Sequence, residues 1–283
     1  MSGADAGAEF AVGPAPVLRG TAAGEGSPIV LCHGLTASRR YVVHGSRALE
    51  RAGHRVITYD ARGHGESDPA PAGQSYGYPE LIGDLERVVE AEVATERFLL
   101  AGHSMGAHTA VGYALAHPER VSGLVVIGPT YTGQPSAETL AYWDGLAAAL
   151  EGEGIDGFVE YLTREGTTAA DWRESVARIS RARMELHRDP RELARALRET
   201  PASRPFGSLA DLAGLDVPAL VVASGDEADP GHPYAVAEAY AAALPRARLI
   251  SEDEGQSPLA WQGGRLSREI ALFALEPDVA LSP

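Results

Sequence analysis

The sequence predicts an α/β fold in which helices flank a mostly parallel central sheet, with a helical insertion. Short β-branched apolar runs recur along the chain and are bounded by Gly, Pro or polar residues. Between most of them lie segments with apolar residues at helical spacing, and this alternation of strand and helix is typical of parallel sheets. The runs are apolar throughout rather than alternating, which favours strands that are buried on both faces.

The alternation predicts ten elements of the main domain. Six strands are expected at 28–34, 54–63, 96–102, 121–128, 217–225 and 247–252. Four helices are expected at 79–93, 105–117, 234–244 and 264–275. The last helix carries Leu266, Ile270 and Phe273 on one face, so it should pack against the sheet.

One region has helical patterning only, and it divides the chain into parts. Residues 1–14 are small and Gly- and Ala-rich, and we expect them to be flexible. Residues 15–133 and 205–283 form the predicted core, and 134–204 form a predicted helical cap. Helices are expected in the cap at 136–151, 155–164, 169–187 and 190–199. Apolar residues such as Trp172, Val176 and Ile179 either pack the cap onto the core or line a substrate pocket, and the pattern leaves both open.

Composition excludes several classes of function. The 283 residues carry a formal net charge of −15, which disfavours nucleic acid or an anionic membrane as a partner. Cys32 is the single cysteine, so an internal disulfide is excluded. No apolar run is long enough to span a membrane, and we expect a cytoplasmic protein. We expect no metal site and no cofactor, since neither ligand spacing nor a phosphate-binding loop is present. The oligomeric state is not predicted.

The stretch "LLAGHSMGAH" (99–108) presents a candidate nucleophile. It places Ser104 between Gly102 and Gly106, in the pattern G-x-S-x-G, directly after a predicted strand and before a predicted helix. Such a strand-to-helix turn exposes the serine hydroxyl at the end of a sheet. The N–H of Met105 begins the helix and points toward a developing oxyanion. A serine hydroxyl still needs a neighbouring base to become an effective nucleophile.

Four motifs in order make the chain resemble the α/β-hydrolase fold family with a helical cap. They are "HGLTAS", "DARGHGESD", "GHSMG" and "SGDEADPGHP", and the resemblance covers roughly residues 15 to 278. It implies an esterase-like serine hydrolase with Ser104 as nucleophile. The oxyanion N–H groups would come from Leu35 and Met105. The implied partner is an apolar or acyl small-molecule substrate.

The other two members of a triad follow late strands in this family. The resemblance favours Asp229 as the acid, because it is correctly spaced from Pro233, over Asp226. At the position of the histidine the chain reads "DEGQSPLAWQ", so Gln256 fills it. Glutamine has no usable proton affinity near neutral pH. No histidine follows His232, which is the possible alternative base, three residues after Asp229.

Three functions stay open on this sequence. The first is a hydrolase of esters, thioesters or related acyl compounds, in which the glutamine leaves hydrolysis impaired or rerouted. The second is a ligand-binding or regulatory protein that kept the pocket but lost hydrolysis. The third is a lyase or isomerase that uses the oxyanion hole without an acyl-enzyme.

Overall fold

The computed structural model of the chain describes residues 7–94, 96–165, 169–225 and 228–281. Eight strands form one sheet in the order β1-β2-β4-β3-β5-β6-β7-β8. Their bounds are β1 Ala8–Val12, β2 Leu18–Ala23, β3 Ser27–Cys32, β4 His54–Tyr59, β5 Phe98–His103, β6 Val121–Ile127, β7 Ala219–Val222 and β8 Ala247–Ile250. Strands β3 to β8 are parallel to one another, and β1 and β2 are added at one edge by antiparallel pairing, β2 with β4 and β1 with β2.

The helices fill both faces of the sheet. Their bounds are α1 Ala48–Arg51, α2 Tyr78–Glu92, α3 Met105–Ala116, α4 Ala137–Glu165, α5 Arg173–Met184, α6 Leu193–Ala202, α7 Tyr234–Ala243 and α8 Gly263–Ala274. Successive side chains of β3 point to opposite faces of the sheet. Val30 packs in a cluster with α2, α3 and α7, and Leu31 packs in a cluster with α8. Burial on both faces explains why the strands read as continuous apolar runs.

The fold confirms the predicted α/β architecture and its six parallel strands, and it adds two. We expected residues 1–14 to be flexible, but Ala8–Val12 pairs with Leu18–Ala23 along its whole length. The pairing places the Phe10 ring over Gly20, where a Cβ would overlap the ring. Tertiary packing therefore orders a segment whose small residues have little strand propensity of their own. Residues 1–6 lie outside the described part of the chain.

Between β6 and β7 the chain forms α4, α5 and α6, which we call the helical insert. Helix α4 contains a kink at Gly154, whose φ of 67° interrupts the helical backbone. The insert packs on the core through an apolar cluster that joins Leu146 and Phe158 to Leu35 and Met105. It therefore lies directly over the segments that carry the predicted oxyanion groups. No helix in the described ranges is both long and apolar enough to cross a bilayer.

Candidate active site

Ser104 occupies a strained turn between β5 and α3. Its φ of 52° and ψ of −115° lie in a region that residues with a side chain rarely adopt. The turn is held from both sides. The Ser104 N–H donates to the Ile127 carbonyl at 2.9 Å, and the His108 N–H donates to the Ser104 carbonyl at 3.1 Å. The Ser104 hydroxyl makes no hydrogen bond to another described residue, so it is available to a substrate.

Two glycines let the backbone pass through this turn. A Cβ on Gly102 would overlap the Gly106 carbonyl, and a Cβ on Gly106 would overlap the Cys32 carbonyl at the end of β3. The close approach of α3 to β3 therefore depends on hydrogen atoms at these two positions. It explains why the G-x-S-x-G spacing predicted the turn correctly.

The loop after β3 lies beside Ser104. A Cβ on Gly34 would come within 3.5 Å of the Ser104 Cβ. The backbone N–H groups of Leu35 and Met105 have no acceptor among the described residues. Both side chains are buried under the helical insert, at 6% and 4% exposure. The two free donors thus lie on the segments that flank the serine, in a setting that side chains shield from water.

Asp229 and His232 form a hydrogen-bonded pair on the loop after β7. The His232 Nδ1 lies 2.9 Å from each carboxylate oxygen of Asp229, and the His232 N–H donates to the Asp229 carbonyl at 3.0 Å. Since a carboxylate only accepts, Nδ1 carries a proton, and Nε2 is the ring nitrogen that remains to exchange a proton with another group. Burial disfavours the charged carboxylate, but the charge and hydrogen bond of His232 and the charge of Arg183 hold the pKa of Asp229 below its usual value.

The His232 ring lies next to the serine turn. It rests on Gly128, the residue after Ile127, with its Cγ 3.2 Å from where a Cβ would be. Its centroid is 4.9 Å from that of His103, the residue before Ser104. The structure therefore brings together Ser104, after β5, and Asp229 and His232, after β7, at the carboxyl ends of two parallel strands that flank β6. This is the edge of the sheet where α/β folds bind their ligands.

Gln256 has other partners. Its Nε2 donates to Asp253 at 3.1 Å, and its Oε1 accepts from Arg265 at 2.7 Å. The residue is exposed, and no bond links it to Ser104 or Asp229. Its place in the chain fits the histidine position of the family, but its side chain does not face the other two candidates. Asp226, the second candidate acid, lies outside the described residues.

The neighbouring histidines are occupied or deeply buried. His33 donates from Nδ1 to the Gly34 carbonyl at 2.8 Å and accepts the Ala61 N–H on Nε2 at 2.9 Å. Burial, followed by the charge of His64, lowers the pKa of His33 to about 3. Burial, followed by the charge of His232, also places the pKa of His103 well below its usual value. Neither ring is suited to accept the serine proton.

Sequence reasoning missed one charged residue near this site. Arg183 extends from α5, and its guanidinium carbon lies 5.5 Å from the centroid of the Tyr41 ring. Its Nε is shielded from solvent and has no hydrogen-bond partner. The signal was present in the helical spacing. Arg183 continues the stripe that Trp172, Val176 and Ile179 begin, so a cation stands where the pattern calls for an apolar side chain.

Comparisons with known proteins identify the family of the chain. The α/β hydrolase fold family matches residues 27–168. A putative carbamate hydrolase, RutD, of Variovorax paradoxus (strain S110) is 31% identical over 208 residues, which are 72% of this chain and 75% of that protein. Epoxide hydrolase B of Mycobacterium tuberculosis is 36% identical over 110 residues, which are 39% of this chain but 31% of that protein.

The fold is shared with solved enzymes over almost its full extent. A thermophilic esterase from Thermogutta terrifontis, with malate bound, superposes with a TM-score of 0.75 at 20% identity. The superposition covers 96% of this chain and 100% of that esterase. The family match, the relative aligned over most of both chains and the serine turn agree. The chain belongs to the α/β-hydrolase fold family, and it is an enzyme of the hydrolase type.

Proposed function

We propose that the chain is a serine hydrolase of esterase type that cleaves an ester, thioester or related acyl compound. Ser104 is the nucleophile, His232 the general base and Asp229 its acid partner. The observation that carries the proposal is the two-oxygen contact of Asp229 with His232 Nδ1 beside the serine turn. It leaves Nε2 as the basic atom, which is the tautomer that a serine base requires.

Acyl transfer begins when a substrate carbonyl lies against the free N–H groups of Leu35 and Met105. His232 Nε2 takes the Ser104 proton as Oγ bonds to the carbonyl carbon, and the negative charge moves to the carbonyl oxygen. Two backbone donors stabilise this oxyanion, and each such donor contributes about a hundredfold to a thousandfold in rate. The imidazolium then gives its proton to the leaving alkoxide or thiolate, and the acyl group remains on Ser104.

Deacylation repeats these steps with water. His232 takes a proton from a water as its oxygen attacks the acyl carbon, and the same proton returns to Ser104 when the carboxylic acid leaves. In the absence of substrate, Ser104 and His232 are not hydrogen-bonded to each other. Catalytic contacts of this kind are often long in the free enzyme and tighten in the substrate complex. The cycle consumes one water and needs no cofactor.

In this proposal proton transfer is rerouted rather than lost. The family position of the histidine is filled by Gln256, which bonds to Asp253 and Arg265 and takes no part in proton transfer. The base instead comes from the loop that already supplies the acid, three residues further on. The helical insert serves as the cap, because its cluster with Leu35 and Met105 shields the oxyanion groups from water and forms the roof of the acyl site.

The test is hydrolysis of p-nitrophenyl acetate by the chain as given, by Ser104→Ala and by Gln256→His. We expect turnover by the first, and a loss on the order of a millionfold in Ser104→Ala, as in other triads. We expect Gln256→His to stay within a few-fold of the chain as given. Mass spectrometry after fluorophosphonate treatment should place the adduct on Ser104.

Two results contradict the proposal. If only Gln256→His turns over, the base belongs at position 256 and the site of the unchanged chain is incomplete. If Ser104→Ala hydrolyses the ester as fast as the unchanged chain and no adduct forms, Ser104 is not a nucleophile.

A further inference from the structure

Arg183 is a cation beside the candidate active site that has no hydrogen-bond or ion-pair partner among the described residues. It extends from α5 of the helical insert and stacks over Tyr41, which in turn meets His44 edge-on at 5.4 Å between ring centroids. Its charge contributes to the lowered pKa values of His44, His103 and Asp229. The guanidinium therefore lies near the Asp229–His232 pair and near the histidine that precedes the serine.

No described residue neutralises this charge. Arg183 makes no salt bridge and no hydrogen bond to the described part of the chain, and its Nε is shielded from solvent. Arg181, two residues earlier, pairs with Asp156 at 2.6 Å on the exposed side of the same helix. A guanidinium nitrogen that is shielded from solvent without an acceptor is costly, so a group placed in this way is normally paired.

Among the described residues, Asp229 is the one carboxylate whose charge raises the pKa of Arg183, against the larger effect of burial, which lowers it. Asp229 does not pair with the guanidinium. Both of its oxygens already contact His232 Nδ1, and Arg183 lies beyond the 4.0 Å of an ion pair. The other groups that face Arg183 are the ring of Tyr41 and the imidazoles of His44 and His103, and none of them is a carboxylate. Within the described part of the chain, the hydrogen bonds of the guanidinium are therefore open to a bound molecule.

We propose that Arg183 binds a carboxylate of the substrate, so that the enzyme acts on acyl compounds that carry a second, anionic group. The cleavage of such a compound rests on the proposed function, whereas the binding of its carboxylate by Arg183 does not. A planar guanidinium matches a carboxylate through two parallel hydrogen bonds. The net charge of −15 does not oppose this, because exposed charges are screened beyond about 8 Å at physiological salt whereas a shielded contact is not.

Isosteric ester pairs test the preference. 4-Carboxyphenyl acetate and 4-carbamoylphenyl acetate differ by a charge on the leaving group. Monoethyl glutarate and ethyl glutaramate differ by a charge on the acyl group. We expect a higher kcat/KM for the anionic member of at least one pair. Arg183→Gln should lower that kcat/KM about tenfold to a hundredfold, mainly through KM. It should change the neutral member less than about threefold, and Arg183→Lys should recover part of the loss.

A matched control is available on the same helix. Arg178 is exposed and has no partner in the ranges that the structure describes. Arg178→Gln therefore removes a charge from α5 without touching the site and should leave the kcat/KM of both members unchanged. Equal use of both members by the unchanged chain would overturn the proposal. It would also be overturned if Arg183→Gln slowed both members equally, because Arg183 would then only support Asp229.

Calorimetric titration separates this inference from the proposed function. Glutaramate and glutaramide are not esters, so their binding does not depend on turnover. We expect the unchanged chain to bind glutaramate more tightly than glutaramide, and Arg183→Gln to lose the difference. If this holds without any esterase activity, the anion site stands and the hydrolase proposal fails. If esters are cleaved but neither titration nor kinetics shows a charge preference, the hydrolase proposal stands and the anion site fails.

Discussion

Replacing Asp229 by asparagine tests the charge relationship within the proposed triad. The variant keeps the size of the side chain and removes its charge, while the His232 Nδ1 lies 2.9 Å from both oxygens. The two side chains are 13% and 18% exposed. For a pair of charges this close and this shielded, an effective dielectric constant of about 20 gives an attraction of about 4 kcal/mol.

That attraction stabilises the imidazolium, which exists only while His232 holds the serine proton. Its loss should therefore slow turnover by about a thousandfold, since each 1.36 kcal/mol is a factor of about ten. A further loss follows if asparagine shifts the proton from Nδ1 to Nε2, and a total of about ten-thousandfold is known for a comparable triad. The assay is kcat for p-nitrophenyl acetate at pH 8.

Asp253→Asn is the matched control. Asp253 is 77% exposed and accepts a hydrogen bond from Gln256. It therefore stands in the same relation to Gln256 as Asp229 does to His232. We expect its kcat to stay within about twofold of the unchanged chain. The reasoning is refuted if Asp229→Asn stays within tenfold of the unchanged chain, or if Asp253→Asn loses as much as Asp229→Asn.

Three further predictions concern the frame of the site. Gly106→Ala should lower the free energy of unfolding by at least about 1–3 kcal/mol in urea, because its Cβ would overlap the Cys32 carbonyl. Asp84→Ala should cost about 3–5 kcal/mol in the same assay, because it leaves buried Arg62 without the carboxylate that it contacts at 2.7 and 2.8 Å. Stability should fall as pH drops below about 6.5, since burial and then the charge of His232 lower the pKa of His108 to about 3 in the folded state. As the pH falls, His108 binds a proton in the unfolded chain before it does so in the folded protein. His108 alone should therefore lower the free energy of unfolding by about 2 kcal/mol at pH 5.

Each of these three predictions has a control variant or a result that would contradict it. Gly83 is a helix position with open space around a Cβ, so Gly83→Ala should not destabilise the fold, and an equal loss in both variants contradicts the packing argument. Glu90→Ala removes an exposed carboxylate from the helix that carries Asp84 and should cost less than about 0.5 kcal/mol. An unfolding free energy that is unchanged between pH 7 and pH 5 contradicts a neutral His108.

Much of the fold could be predicted because a strand that is buried on both faces of the sheet has a continuous apolar sequence. All six parallel strands are apolar runs and were found, although the predicted strand 54–63 ends at Tyr59. There the chain leaves the sheet, and the Arg39 N–H donates to Asp60 at 2.7 Å. Strands β1 and β2 were missed because their sequences, AEFAV and LRGTAA, mix small, polar and apolar residues instead of forming an apolar run. They are ordered by pairing with each other and with β4.

The site was predictable where backbone geometry dictates residue type. Gly102 and Gly106 are required because a Cβ on either would overlap a backbone carbonyl. A local sequence pattern was therefore enough to identify the turn. The direction of His232 depends on a turn whose form no short motif encodes, and the sequence therefore gave this residue only as an alternative base. Arg183 lies far from Ser104 in the chain and reaches the site through the fold of the insert, so spacing alone gave no role to it.

The general base is the central claim, and kcat/KM of His232→Gln for p-nitrophenyl acetate tests it most directly, with Gln256→Ala measured beside it. Glutamine at 232 can still bond to Asp229 but has no usable proton affinity. The account predicts that His232→Gln loses about ten-thousandfold to a millionfold and that Gln256→Ala stays within a few-fold of the unchanged chain. Full activity in His232→Gln, above all if Gln256→Ala is inactive, would contradict the account.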